Sequence, residues 1–241
     1  MKKKEQFIII PEEAWIKGIE NKDYLACYCF IREHALMTNK VIFTKKVLYD
    51  QLRVKRQNIK ERVCQAMQQV LNDFCDDDAK IDFKKFKVNE LICVFLDEEK
   101  LDRKERSFAK IYADDLIKLE SYATSQQNYQ DMLLLLCYYR TRMIKRNTDS
   151  TVEIAPAILY KYLLDISTEL QLPLSATVRC LDILQEVKII NLYRMNTKKI
   201  NDNYFTGKLI IYDYVNRDEL YSNEEILDAA IKYVNKKSKD Q

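Results

Sequence analysis

A run of polar and cationic side chains opens an amphipathic segment in the first half of the sequence. Arg56, Gln57 and Asn58 follow one another, and Lys60 and Arg62 come shortly after them. Arginine can form two parallel hydrogen bonds to the edge of guanine, and glutamine or asparagine can do the same with adenine. Lysine and arginine also bind phosphate oxygens. The segment therefore carries the side chains that recognition of base edges and phosphates requires.

Further lysines lie on both sides of this segment. For any one of them, a solvated surface position is the ordinary interpretation. Seven basic residues between positions 45 and 62 nevertheless form a dense set, and a dense set of cations favours contact with phosphate groups. The flanking lysines expected to bind phosphates are Lys45, Lys46, Lys55, Lys84, Lys85 and Lys87.

Catalytic and metal chemistry find little support in the sequence. The one histidine, His34, stands in an apolar helical segment without a serine or cysteine partner set, so a packed histidine is the better interpretation. The seven cysteines include no C-x-x-C pair, and the run 76–78 of three aspartates lacks the spacing of a calcium loop. Two glycines are too few for a phosphate-binding glycine loop. We expect no enzyme activity, no metal and no cofactor.

Composition predicts a protein that stays inside the cell. The longest apolar run, Met132–Cys137, is far shorter than the roughly 20 residues that span a bilayer. The first residues lack the long apolar core of a signal peptide. An odd number of cysteines with apolar neighbours is typical of reduced, buried thiols. We therefore expect a cytoplasmic chain without a membrane partner.

Short motifs recur in the same order in the two halves of the sequence. Such repetition is the pattern left by duplicated structural units. Because the charged stretch 97–106 lacks apolar periodicity, it is expected to be a linker, which predicts domains at 1–103 and 104–220 and a tail at 221–241. The three matches are Phe7-x-x-Ile10-x-x-Glu13 with Phe108-x-x-Ile111-x-x-Asp114, Asp23…Cys29–Arg32 with Asp131…Cys137–Arg140, and Leu48-Tyr49-x-x-Leu52 with Leu159-Tyr160-x-x-Leu163.

Each half has the same predicted order of elements. A short opening helix is followed by a longer helix that is apolar on most faces, Tyr24–Leu36 in the first half and Met132–Ile144 in the second. In the first half Thr44 is expected to cap a helix over Lys45–Leu52. A second helix over Arg56–Asn72 and two strands, Lys80–Phe83 and Leu91–Leu96, complete that half.

The second half ends in a comparable way. Ser175 is expected to cap a helix over Ala176–Glu186, on which Ser175, Thr177 and Arg179 face outward. Strands at Ile189–Arg194 and Leu209–Tyr214 enclose a polar loop that carries Lys198 and Lys199. A short amphipathic helix from Ser222 onward either packs on the body or binds a partner. The fold class predicted from both halves is mainly α with small β-hairpins, that is, α+β.

This layout resembles a winged helix-turn-helix, repeated in tandem. The segment from Thr44 to Ile59 looks like a capped helix, a turn and a recognition helix, and the segment from Leu172 to Ile190 is similar to the recognition helix and first wing strand of bacterial winged-helix regulators. Tandem units of this kind resemble plasmid and phage replication initiators of Gram-positive bacteria, and also accessory factors of conjugative plasmids. The resemblance implies a monomer that forms an internal pseudo-dimer.

The resemblance implies a double-stranded DNA partner. Such a protein would be an accessory factor in conjugative transfer or replication initiation, or a transcriptional regulator. Because winged helices also serve as docking domains, an alternative is a protein-interaction module that binds other replication or transfer proteins.

Overall fold

The computed structural model describes residues 6–35, 39–75, 81–97, 100, 107–143, 157–201, 204–214 and 222–237. The chain forms two compact units, Met1–Thr141 and Arg142–Gln241. Helices and small antiparallel sheets make up the described residues, so the predicted α+β class is confirmed. None of the helices in the described ranges is long and apolar enough to cross a membrane. The units divide at 141/142, whereas the boundary predicted from the sequence repeat lies at 103/104.

The first unit contains four strands and six α-helices within its described residues, together with one short 3-10 helix. In chain order they are β1 (Phe7–Pro11), α1 (Glu12–Glu20), α2 (Lys22–His34), β2 (Lys40–Phe43), α3 (Lys45–Gln51), α4 (Gln57–Phe74), the 3-10 helix (Phe83–Lys85), β3 (Ile92–Phe95), β4 (Phe108–Tyr112), α5 (Ala113–Tyr122) and α6 (Gln126–Arg142), whose last residue lies at the unit boundary.

The two helices predicted to be central form the core of this unit. Nine consecutive residues of α2, from Asp23 to Ile31, are buried, and α6 is buried from Asn128 to Thr141. Burial on all sides explains why neither helix shows an apolar stripe in the sequence. Helix α2 begins two residues before its predicted start because the side chain of Asn21 accepts a hydrogen bond from the Tyr24 amide at 3.3 Å.

The first repeated motif lies on β1 and β4, and these two strands pair with each other. They are antiparallel, with Phe7 opposite Tyr112 and Pro11 opposite Phe108. At the centre of the pair Ile9 stands opposite Lys110. Ile9 follows Phe7 by two residues and Lys110 follows Phe108 by two residues, so the central partners occupy equivalent positions in the repeat. The two strands are therefore related by a local two-fold axis.

The predicted strand hairpin of the first half is wrong. Residues 81 and 82 form no strand, Phe83–Lys85 is a 3-10 turn, and Lys80 lies outside the described residues. Strand β3 pairs instead with β2, which precedes the helices, with Phe43 opposite Ile92. Such a pairing joins residues far apart in the chain, and local alternation of polar and apolar residues does not indicate it.

The second unit has a three-stranded sheet and three α-helices among its described residues. They are β5 (Leu159–Tyr162), α7 (Leu163–Glu169), α8 (Leu174–Glu186), β6 (Ile190–Asn201), β7 (Tyr204–Asp213) and α9 (Asn223–Lys237), with sheet order β5-β7-β6. The two predicted strands are present as β6 and β7 but are longer than predicted, because paired strand replaces most of the predicted loop.

The C-terminal helix packs on the body of the second unit. Ala230 on α9 is fully buried beside Ile158, Ile210 and Tyr212 of the sheet region. Helix α9 starts with a reciprocal cap. The Ser222 hydroxyl accepts from the Glu225 amide at 3.2 Å, and the Glu225 carboxylate accepts from the Ser222 amide at 2.7 Å. The Ser222 amide, and after it the Ser222 hydroxyl at 3.0 Å, donate to the Glu225 carboxylate and lower its pKa.

The third sequence match is wrong in register. Leu48 and Leu52 lie on and just after helix α3, whereas Leu159 lies on strand β5. The structural counterpart of α3 is α7, a seven-residue helix to which no range was assigned from the sequence. Fully buried Leu48 of α3 thus corresponds to fully buried Ile166 of α7. A helix of two turns contributes too few residues for its period to be recognised.

Glycine at position 18 is required for close packing of α1 against α2. A Cβ atom placed on Gly18 would lie 2.8 Å from the Cβ of Leu25. Replacing a helical glycine by alanine ordinarily stabilises a helix. Here we expect Gly18→Ala to lower the free energy of unfolding of the first unit by about 1–3 kcal/mol, because overpacking outweighs the gain. The fluorescence of Trp15, the one tryptophan and a buried residue of this unit, should report the change in urea.

Glu20→Ala, at an exposed position of the same helix, is the matched control and should change stability little. Equal or greater stability of Gly18→Ala would contradict the packing.

Candidate nucleic-acid interface

A left-handed residue forms the turn between α3 and α4. Arg53 has φ 56°, and its amide donates to the Asp50 carbonyl at 3.2 Å. The next amide, that of Val54, donates to the Tyr49 carbonyl at 2.8 Å, and the Val54 side chain is buried. These two bonds, together with the buried side chain of Val54, define a Schellman motif, which ends a helix sharply. The turn forms without glycine because its hydrogen bonds and buried side chains hold Arg53 in this conformation.

The second unit repeats this turn between α7 and α8. Gln171 has φ 51°, and its amide donates to the Thr168 carbonyl at 3.2 Å. The Leu172 amide then donates to the Ser167 carbonyl at 3.0 Å, and Leu172 is buried. Both units therefore contain a seven-residue helix, the same left-handed turn and a longer second helix. This shared geometry is strong support for two related motifs, although glycine is absent from both turns.

The leading end of α4 projects from the first unit. Arg56 is the residue before the helix, and Arg56, Gln57 and Asn58 are all exposed. Burial begins only one to two turns later, along a single apolar stripe that anchors the rest of the helix. The stripe consists of Val63, Ala66, Met67, Val70 and Leu71. The residue types that can bind base edges are thus found on the part of α4 that protrudes.

Most of the flanking lysines expected at this surface are exposed there. Lys46, Lys55, Lys84, Lys85 and Lys87 fulfil this expectation. Carboxylates are interspersed among them. Lys85 pairs with Asp82 at 3.6 Å, and the Glu90 carboxylate accepts from the Lys87 amide at 2.8 Å. The surface is therefore cationic in places and not a uniform field of positive charge.

Lys45 does not belong to the exposed set. Its side chain is only 6% exposed, its Nζ donates to the Lys84 carbonyl at 3.2 Å, and it lies 4.9 Å from the centre of the Phe83 ring. A lysine can bury its aliphatic stem when its ammonium group finds a carbonyl or an aromatic face. Lys45 thus holds the 3-10 turn against α3, and the expected phosphate contact from this residue is corrected.

Lys60 is half-buried beside α3. Its ammonium group lies 5.5 Å from the centre of the Tyr49 ring. The Tyr49 hydroxyl is 2.9 Å from the Cys64 sulfur, and burial together with this hydrogen bond raises the pKa of Tyr49. Both contacts fix α4 against α3, and they leave Lys60 close to the protruding end.

Arg62 forms a two-point ion pair with a buried carboxylate. Its Nε and Nη2 atoms donate to Oδ2 of Asp23 at 3.0 and 2.8 Å. Asp23 is 4% exposed, and its other oxygen accepts from the side-chain amides of Gln126 at 2.8 Å and Gln130 at 2.6 Å. Neither the pairing of Arg62 with Asp23 nor the two glutamines that share this carboxylate was predicted from the sequence. The repeated aspartates, Asp23 and Asp131, within otherwise apolar helices were the available signal.

A cleft of about 1120 Å³ opens beside this ion pair, and it is lined by the end of α3, the first turns of α4 from Arg56 onward and the start of α6. On its wall Gln51 donates from one side-chain nitrogen to the carboxylates of Glu33 at 2.6 Å and Glu120 at 2.7 Å. Burial raises the pKa of Glu120. The Arg53 guanidinium also donates to the Glu120 carbonyl, so α3, the turn and α4 are bonded to α5 as well as to α2.

The corresponding face of the second unit differs in charge. Ser175 and Arg179 are exposed on α8 as expected, but so are the acidic residues Asp182 and Glu186. Arg194 pairs with Asp182 at 3.0 Å. Lys198 and Lys199 lie on β6, opposite Thr206 and Phe205, and their side chains are outside the described residues.

Two expectations for the start of α8 are wrong. The helix begins at Leu174 after Pro173, so Ser175 lies inside its first turn and is not the cap. Thr177 is fully buried, and both its amide and its hydroxyl donate to the Pro173 carbonyl, at 3.0 and 3.2 Å. Pro173 occupies the N-cap position of α8, and its side chain accepts no hydrogen bond that would cap the helix.

The left-handed turn of the second unit predicts how substitutions of Gln171 change the stability of that unit. A β-branched side chain is disfavoured at positive φ, whereas glycine adopts it freely. Gln171→Val should therefore destabilise the second unit by about 1–2 kcal/mol, and Gln171→Gly should not. Amide hydrogen exchange at Leu172 and along α8 measures this. Trp15 fluorescence should show an unchanged first unit, and unchanged exchange in the valine variant would contradict the turn.

Comparison of the sequence with models of protein families finds no match, and neither does comparison with curated proteins. A function for this chain is therefore inferred from its own residues and their geometry. The features that bear on it are the protruding end of α4, its cationic flanks and the recurrence of the same turn in the second unit.

Proposed function

We propose that this chain is a double-stranded DNA-binding protein built from two tandem winged helix-turn-helix units, and that the leading end of α4 lies in the major groove. The observation that carries the proposal is the exposure of Arg56, Gln57 and Asn58 at the start of a helix whose later turns are buried. The major groove, about 12 Å wide, admits one α-helix. Recognition helices of helix-turn-helix proteins contact base edges through their first turns.

The flanking cations support phosphate binding on both sides of this helix. Lys46 lies on α3 and Lys55 on the turn, while Lys84, Lys85 and Lys87 follow in and after the 3-10 turn. Contacts of this kind set the position of a protein on the duplex without reading its sequence. Because carboxylates lie among the lysines and the formal net charge is only +3, we expect moderate non-specific affinity.

The sheet of the second unit supports the winged-helix assignment there. Strand β5 precedes the two helices, and the hairpin of β6 and β7 follows them and joins β5 into one sheet. The first unit has only β2 and β3 in the corresponding described positions. The second unit thus has the more complete wing, and the first unit the more cationic helix.

A docking role remains a second candidate for the second unit. Its α8 face presents Asp182 and Glu186 beside Arg179, and Leu164 on the preceding helix is exposed. A face of mixed charge, together with an exposed leucine on α7, suits a protein surface at least as well as a phosphate backbone. In this alternative the unit binds other proteins of a replication or transfer complex. For the whole chain we propose a role as an accessory factor in conjugative transfer or replication initiation, or as a transcriptional regulator.

Charge reversal at the leading end of α4 tests the proposal. Arg56→Glu combined with Lys60→Glu should weaken binding to a duplex selected in vitro from a random library by about a hundredfold, since two base or phosphate contacts become repulsive. Fluorescence anisotropy against salt concentration measures this, and Trp15 fluorescence verifies folding. Arg142→Glu, which reverses an exposed charge at the end of α6, should bind within about twofold of the unmodified protein.

Arg179→Glu separates the two candidates for the second unit. Weakened DNA binding assigns α8 to the duplex, and unaltered binding favours docking. The proposal as a whole is abandoned if the unmodified protein selects no duplex at low salt, or if the double variant binds as tightly as the unmodified protein.

A further inference from the structure

The carboxylate of Asp23 gathers four hydrogen bonds from two elements outside its own helix. Arg62 on α4 supplies two of them, and Gln126 and Gln130 on α6 supply one each. A buried carboxylate is stable only when it is paired and hydrogen-bonded. Here each of its oxygens accepts two bonds, so the geometry of α2, α4 and α6 is defined at one point.

The donors from α6 belong to a reciprocal arrangement. Gln130 precedes Asp131 and donates to Asp23, while Lys22 precedes Asp23 and donates to Asp131 at 2.6 Å. Asp131, like Asp23, is almost fully buried. Equivalent residues of the two repeats therefore exchange equivalent bonds, as in an isologous interface between two subunits. The helix contributed by the second repeat is thus in direct contact with the residue that holds Arg62.

Two N–H groups of the Arg62 guanidinium point inward although the side chain is 62% exposed. A guanidinium reads guanine by presenting two parallel N–H groups. In Arg62 the Nε and Nη2 groups are already directed at one oxygen of Asp23. No protein acceptor for the Arg56 side chain is found within the described residues, and Arg56 lies at the tip of the helix. The two arginines of the same helix therefore differ in what they can contact.

We propose that Arg62 and Asp23 are positioning residues for the leading end of α4, and that Arg62 acts through Asp23 and not by contact with DNA. This inference rests on the proposed function. The ion pair fixes the rotation and tilt of α4 between one and two turns behind the residues that meet the base edges. Gln126 and Gln130 connect the same carboxylate to α6, so the second repeat helps to orient the leading end of α4.

Lysine and glutamine substitutions at positions 62 and 56 test the inference. The probe is the selected duplex, and a scrambled duplex of equal length measures specificity. A phosphate contact depends on charge, so an arginine that makes one can be replaced by lysine without loss of the contact. Its replacement by glutamine lowers the slope of log K against log salt by about 0.9. A lysine cannot replace the two-point pair with Asp23.

We expect Arg62→Lys and Arg62→Gln both to weaken binding to the selected duplex by about tenfold and to reduce the ratio of selected to scrambled binding, with an unchanged salt slope. Arg56→Lys should retain the slope, and Arg56→Gln should lower it. A loss of stability alone would reduce the fraction of active protein and leave the specificity ratio of the folded molecules unaltered.

Asp23→Asn provides a second variant. It keeps an oxygen for the glutamine amides but releases the charge of Arg62, so specificity should fall while the salt slope does not. Trp15 fluorescence in urea shows whether this variant is folded. If it does not unfold cooperatively, the test of the inference depends on the Arg62 variants alone. Binding by Arg62→Lys equal to that of the unmodified protein, or a lowered slope in Arg62→Gln, overturns the positioning role and leaves DNA binding intact. Absence of binding by the unmodified protein overturns both.

Discussion

The left-handed turn after α3 is the constraint on which the proposed interface depends. Because the Val54 amide returns to the Tyr49 carbonyl and the valine side chain is buried, the chain leaves α3 in one direction only. Helix α4 then starts outside the core, and its apolar stripe enters the core later. A different turn would bury the start of α4 or rotate its polar residues away from solvent. The same two bonds in the second unit show that two different sequences, Leu-Arg-Val and Leu-Gln-Leu, satisfy this constraint without glycine.

Pairing between the two repeats gives the first unit its core. Strands β1 and β4 pair around equivalent residues, and Lys22, Asp23, Gln130 and Asp131 exchange bonds across α2 and α6. A two-helix core of this kind buries polar groups that a single repeat would leave unpaired. The compact unit therefore extends past the end of the first repeat to residue 141, although the sequence repeat itself divides earlier. Duplication and compact packing define different boundaries in this chain.

Elements with clear local signals were predictable from the sequence. Thr44 caps α3 as expected, with its hydroxyl accepting from the Val47 amide at 3.2 Å, and α4 covers nearly all of its predicted range. The short helix α7 and the pairing of β2 with β3 were not predictable, because two turns show no period and strand pairing is a long-range property. The inward position of Lys45 was missed because a charged residue is ordinarily assigned to the surface.

Only part of the candidate site could be predicted, because residue type indicates which side chains can bind DNA but not which of them turn inward in the folded chain. Residue type alone indicated the exposed residues Arg56, Gln57 and Asn58, and their placement follows from the helix start. Thr177 and Arg62 have residue types suited to a surface, yet their side-chain partners are the Pro173 carbonyl and Asp23. Which of several polar side chains turns inward depends on acceptors from other elements, and those acceptors are identified only once the chain is folded.

Site-specific photocrosslinking from α4 to DNA tests the central claim most directly. A photoreactive amino acid incorporated at position 58, at the exposed leading end, is compared with the same amino acid at position 72, which is exposed near the other end of α4. The proposed geometry predicts crosslinks to bases in the major groove from position 58 and few or none from position 72. Equal crosslinking from both positions, or none from position 58 on a duplex that the protein binds, would contradict it.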